Sequence, residues 1–231
     1  MIKQFKYLNL LTMLYMTIKI TTVMLIYKII KIGSFSGSAS TLIIPLWFII
    51  GDVIAEVYGY KVAKNVVWAA LFCQFFFALI CVIFVNLPSP PSWPQQALYS
   101  QLFNKLPRVT LSSFFAITCG AFINAYAISK WKILLRGKYF WLRSLAASSV
   151  GELVFIVIAY LAEFLGVVPL MNIIHLIAVG YLVKLIINPL LVFPSAMLAN
   201  FLKRHEGIDV YDNDVNYNPL SINILAINLS R

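Results

Sequence analysis

The sequence predicts an all-α, polytopic membrane protein with about six transmembrane helices, and three observations carry that prediction. Hydrophobic residues fill 61% of the 231 positions, charged residues only 11%, and mean hydropathy is +0.88; soluble domains are about a quarter charged. Apolar runs recur along the chain at lengths suited to a spanning helix, which needs roughly 20 residues. The runs also lack the period-two alternation of barrel strands. Lipid offers no partner to a backbone N–H or C=O, so each run must close its own hydrogen bonds as a helix.

Taken in order, the first span is expected over 7–30, behind Lys3 and Lys6. It is too long for a signal peptide and has no small-residue cleavage site, so it stays attached. Gly33 to Ser40 reads as a flexible polar connection. The second span, 42–57, is short, and the third covers 66–87. Pro88, Pro90, Pro91 and Pro94 around Trp93 forbid a helix in the loop that follows. Residues 95–106 then read as a short interfacial helix with Leu98, Leu102 and Phe103 on one side. The remaining spans are expected at 109–128, 145–166 and 172–202, and no internal repeat is evident. The whole chain, 1–231, reads as a single integral membrane domain, with 203–231 as a cytoplasmic polar tail bearing Glu206, Asp209, Asp212 and Asp214.

The net charge of +10 would suggest nucleic acid in a soluble protein, but these cations cluster at the ends of apolar runs. They read as topology signals, which makes membrane lipid the partner and not nucleic acid. With the N-terminus inside, Lys3, Lys6, Lys61, Lys64, Lys130, Lys132, Arg136, Lys138, Arg143, Lys203 and Arg204 face the cytoplasm. Only Lys28, Lys31, Lys105 and Arg108 face outward. Eleven against four places both termini in the cytoplasm of a bacterial inner membrane. Cys73, Cys81 and Cys119 lack paired spacing and read as small apolar fillers. His175 and His205 are the two histidines of the chain, too few for a histidine metal centre. Serine-hydrolase, zincin and P-loop signatures are absent, so neither catalysis nor a bound cofactor is expected.

Four of the eight acidic residues, Asp52, Glu56, Glu152 and Glu163, fall inside predicted spans. An ionised group at mid-bilayer costs at least ~2.5–3.5 kcal/mol, so each needs a partner or a polar cavity. Asp52 and Glu56, four residues apart, share one helix face. Asp52 sits near mid-depth and is read as functional. Glu56 approaches the cytoplasmic boundary, where Lys61 or Lys64 would pair with it. Glu152 follows Gly151, where close backbone approach can open space for a ligand. Glu163 is expected near the outer mouth, solvated. Lys19, which could snorkel toward an interface, reads as a structural intramembrane partner. Lys184 precedes Asn188, Pro189 and Pro194, prolines that would break the helical ladder and expose carbonyls; either lysine could neutralise Asp52 or Glu152. Asn124 offers both donor and acceptor to a heterocycle or to a neighbouring helix. Asp52, Glu56, Asn124, Glu152 and Lys184 are therefore the candidate substrate-binding residues.

The run Ile44-Pro45-Leu46-Trp47-Phe48-Ile49-Ile50-Gly51-Asp52-Val53-Ile54-Ala55-Glu56-Val57-Tyr58-Gly59-Tyr60 resembles the Pro, Asp, Glu and Tyr-Gly pattern of the YhhQ family of queuosine-precursor transporters, also called the vitamin uptake transporter family. Asn124 with Tyr126, Ser129 to Lys132, Trp141 to Arg143 and Gly151-Glu152 follow in the family's order. Glu206 to Asp212 and Asn218-Pro219 resemble its C-terminal signature. The family often carries an aspartate three residues after the Gly-Glu acid, where this chain has Phe155. The resemblance implies a fold like the substrate-binding component of energy-coupling-factor transporters. It also implies import of small purine-like solutes, the 7-deazaguanine precursors of queuosine, for tRNA salvage. A vitamin-binding subunit needing a separate energising module, a homo-oligomer, and a non-transporting assembly factor stay open as alternatives.

Overall fold

Apolar runs of 17 to 37 residues wind into the six principal helices of the chain. The computed structural model describes residues 5–32, 35–213, 215–219 and 221, so Lys3, Gly33, Ser34 and Asp214 lie outside the described residues. In chain order the elements are α1 (Leu8–Met24), β1 (Ile29–Ile32), β2 (Phe35–Ser38), α2 (Ser40–Tyr58), α3 (Tyr60–Val85), α4 (Gln96–Phe103), α5 (Leu106–Leu134), α6 (Phe140–Phe164) and α7 (Leu170–Glu206). Five helical stretches, α2, α3, the run from α4 through α5, α6 and α7, are long and apolar enough to cross a membrane. With α1, a shorter apolar helix, they make an all-α, multi-pass membrane bundle.

The first expected span is cut short. Helix α1 stops at Met24, and the β-branched Ile29, Ile30 and Ile32 enter an antiparallel hairpin, with Ile29 opposite Ser38 and Ile32 opposite Phe35. What reads in sequence as a flexible polar connection is thus partly the second strand of that hairpin. Isoleucine suits a pleated strand better than a helix end, and Ser38 Oγ fastens the hairpin by donating to the Ile26 carbonyl at 2.6 Å.

Helix α2 is the central element, packed on α1, α3, α5, α6 and α7. Gly59, at φ +85°, makes the sharp corner between α2 and α3 that an L side chain resists. Helices α5 and α6 approach most closely, where a Cβ on Gly120 would lie 2.6 Å from the Gly151 carbonyl and one on Gly151 would lie 2.8 Å from Asn124 Cβ. Gly151 therefore serves helix packing rather than opening ligand space, as small residues do in membrane interfaces. Helix α7 continues through Pro189 and Pro194 from Leu170 to Glu206, although neither proline has an N–H to give to the ladder. At 1.5 Å per residue its 37 residues span about 55 Å, so it outruns the roughly 30 Å hydrocarbon layer. Phe72, Phe75, Phe76, Ile83 and Phe84 stand exposed on α3, the face such a bundle offers to lipid. Cys73, Cys81 and Cys119 are free thiols, and Cys73 and Cys119 lie on exposed faces.

Candidate functional site

Phe48, Asp52 and Glu56 recur at four-residue steps on α2, so one buried stripe runs along the middle of the bundle. Asp52 has no exposed surface. Its Oδ1 accepts from Asn124 Nδ2 of α5 at 2.5 Å, and its Oδ2 accepts from Ser144 Oγ and Ser148 Oγ of α6 at 2.5 and 2.8 Å. A carboxylate offers about four lone-pair sites. Three are filled from within the protein, so Asp52 organises its neighbours and keeps little capacity for a solute.

Glu56, one turn on, is equally buried but lies in an ion cluster. Arg143 Nη1 and Nη2 donate to its two oxygens at 2.8 and 3.1 Å, the bidentate geometry that favours arginine. Lys203 Nζ donates to Oε1 at 2.6 Å, and Lys132 Nζ takes the Glu56 carbonyl at 2.5 Å. The expected pairing with Lys61 or Lys64 is not formed; Lys64 instead donates to the carbonyls of Asn218 and Ser221. Glu56 is closed off by three cations from three helices.

A second polar group lies where α6 meets α7. Glu152 Oε2 accepts from Asn188 Nδ2 at 3.1 Å. Glu152 Oε1, Asn188 Oδ1, Lys184 Nζ, Asn124 Oδ1 and Trp47 Nε1 are buried and make no hydrogen bond among the described residues. Lys184 is fully buried, with Nζ 5.2 Å from the centre of the Phe155 ring. That ring also lies 5.6 Å from Trp47 and 5.9 Å from Phe48, so it joins the Asp52 and Glu152 groups through an aromatic cluster. Phe155 supplies a π face to the ammonium. Three unpaired acceptor atoms, on Glu152, Asn188 and Asn124, thus stand with two unpaired donor groups, the Lys184 ammonium and the Trp47 N–H.

A cavity of about 20 Å³ lies beside Tyr15, Trp47, Phe48, Gly51 and Asn124. That is space for one water, against about 300–1,000 Å³ in ordinary ligand pockets. Trp47 and Phe48 wall this cavity, and both pack against the Phe155 ring. Among the described residues no group of three His, Cys, Asp or Glu is placed to hold a metal ion.

Lys19 is buried and donates to Gln74 Oε1 at 2.6 Å. One further expectation changes. Glu163 is not solvated but fully buried, accepting from the Tyr27 hydroxyl and, at 2.8 Å, from Ser112 Oγ. Ser144 and Ser148 were not among the sequence candidates. A signal for them existed: stepping back from Glu152 by four residues twice reaches both, on the same helix face.

A family model described as "Putative vitamin uptake transporter" matches residues 38–199, which hold all five candidate residues. The chain belongs to this family. No curated protein and no solved structure matches the chain.

Proposed function

We propose that the protein imports a 7-deazaguanine precursor of queuosine, such as 7-cyano-7-deazaguanine, 7-aminomethyl-7-deazaguanine or queuine, across the bacterial inner membrane. Both termini face the cytoplasm. One observation supports this reading above the others: the buried polar groups left without partners sort into acceptors and donors that complement a guanine-like edge. Glu152 has a free Oε1 and spare capacity on Oε2. It can accept the ring N–H and the exocyclic amine side by side, a charge-assisted pair stronger than neutral hydrogen bonds. Lys184 Nζ and Trp47 Nε1 are free donors for the base carbonyl. Phe155, Trp47 and Phe48 offer faces for stacking, worth ~1–3 kcal/mol per base in nucleic-acid sites. Asp52 then acts one step back, holding Asn124 in place.

The test is queuosine content of tRNA in cells unable to make the precursor, with and without this gene, at limiting external precursor. The reading requires queuosine to appear only with the gene. Equal modification in both strains would discard it, and uptake that depends on a copurifying ATPase would replace self-contained import with a vitamin-binding subunit.

A further inference from the structure

Helix α7 ends at Gly207, whose φ of +61° turns the chain back under the bundle. The segment that follows is tied to the ends of four helices by its polar groups. Asp212 Oδ2 accepts from the Tyr60 backbone N–H at 2.8 Å and from Ser129 Oγ at 2.6 Å, spanning α3 and α5. Lys132 donates to Asp209 Oδ1 and to the Val210 carbonyl at 2.5 and 2.6 Å, and Lys203 Nζ lies 3.0 Å from the same carboxylate. The Val210 N–H donates to the Val57 carbonyl, Tyr60 donates to the Tyr217 carbonyl, and Trp68 Nε1 donates to the Pro219 carbonyl. Two glycines leave room for it: a Cβ on Gly59 would meet Asp212 and Val210 at 2.8 Å, and one on Gly137 would overlap the Tyr211 hydroxyl.

We propose that residues 208–213 and 215–219 form a latch that closes the tail-side mouth of the bundle and must come away for solute to pass between that side and the site. Three features point to a latch rather than a permanent floor. The segment is held chiefly by hydrogen bonds and ion pairs: of its described residues only Asp212 is buried, while Ile208, Val210, Val215, Tyr217 and Pro219 are half-buried, Tyr217 against the Tyr60 and Tyr126 rings. Hydrogen bonds exchange with water at small net gain, so such a strap opens far more readily than a packed helix. Its attachments are also the closing residues of the bundle. Lys132 and Lys203 are shared between Asp209 and Glu56, so the tail is joined directly to the ion cluster one turn from Asp52. On α5, Ser129 under Asp212 lies one turn from Ala125, which lines the central cavity.

The proposal rests on the transport reading, but its test needs no solute. In a background with Cys73, Cys81 and Cys119 replaced, Ala125→Cys places a thiol in the cavity, and its rate of reaction with N-ethylmaleimide in detergent reports access. Asp212→Ala removes a charged acceptor from two donors and should raise that rate roughly tenfold. Asp209→Asn, at a partly exposed position, should raise it by a smaller factor while leaving the protein folded, and it decides the matter if the first variant fails to accumulate. Hydrogen exchange at the tail amides is followed in parallel. Freed tail amides with an unchanged thiol rate would overturn the latch, as would tails that stay protected in both variants.

Discussion

Glu152 and Asp52 differ in what they still have to offer. Glu152 carries an oxygen with no hydrogen bond, whereas three donors already fill Asp52. Glu152→Gln keeps the size of the side chain but removes a charge-assisted acceptor. It should cost about 2–4 kcal/mol, or roughly 30- to 1,000-fold in uptake at limiting solute. Asp52→Asn is expected to do less, because the Ser144 and Ser148 hydroxyls can turn and accept from the new amide. Uptake assays on equally expressed variants check the order, and the reverse order would return Asp52 to direct contact with solute. Glu56 belongs to a different class. Removing one member of a buried ion pair costs about 3–5 kcal/mol because the other charge is left behind, so Glu56→Gln and Arg143→Met should each lower accumulation. The double variant should recover part of the loss, which a thermal-unfolding series in detergent would measure.

Helix packing sets the next level, and it is steepest where α5 crosses α6. A methyl group at Gly151 has nowhere to go, with Asn124 Cβ and the Gly120 carbonyl both 2.8 Å away. Gly151→Ala should therefore destabilise by about 1–3 kcal/mol. Gly37→Ala in the hairpin, with open space around its Cβ, should leave the melting temperature unchanged. The tail has its own signature in pH. Burial raises the Asp209 carboxyl, but the hydrogen bonds and charges of Lys132 and Lys203 outweigh it and hold it below the ordinary 3.8. A carboxylate depressed in the folded state stabilises above its unfolded value, and that contribution fades as pH falls through the folded one. Tail-amide protection should thus be flat from neutral pH down to about the ordinary carboxylate range and fall below it. Asp209 is partly exposed, so the effect is screened and modest. Loss of protection already at pH 6 would contradict this. The C-terminal signature Glu206 to Asp212 was visible in the sequence, but its role was not, since Tyr60, Ser129 and Lys132 are each more than 70 residues away.

At the scale of the molecule, the cation count around the spans predicts that position 135 faces the cytoplasm and position 95 the other side. Reporter fusions at the two positions check it, and equal sidedness would refute it. The structure adds a qualification to that count. Arg143, Lys132 and Lys203 serve the Glu56 cluster as well as any interfacial role, so part of the asymmetry is structural. The sequence alone was enough to determine that this is a helical membrane protein, because lipid leaves only helices and closed barrels to satisfy the backbone, and the apolar runs lack the alternation of barrel strands. It also determined that Asp52, Glu56 and Glu152 need company, because a lone charge in hydrocarbon is too costly. Which company was decided only by the tertiary structure. Asp52 meets Asn124 and Ser144 across 72 and 92 positions, and Glu56 meets Lys203 across 147. Pairings at such separations depend on the rotation and depth of each helix, which are set by packing between helices and are not written in the periodicity of any one of them.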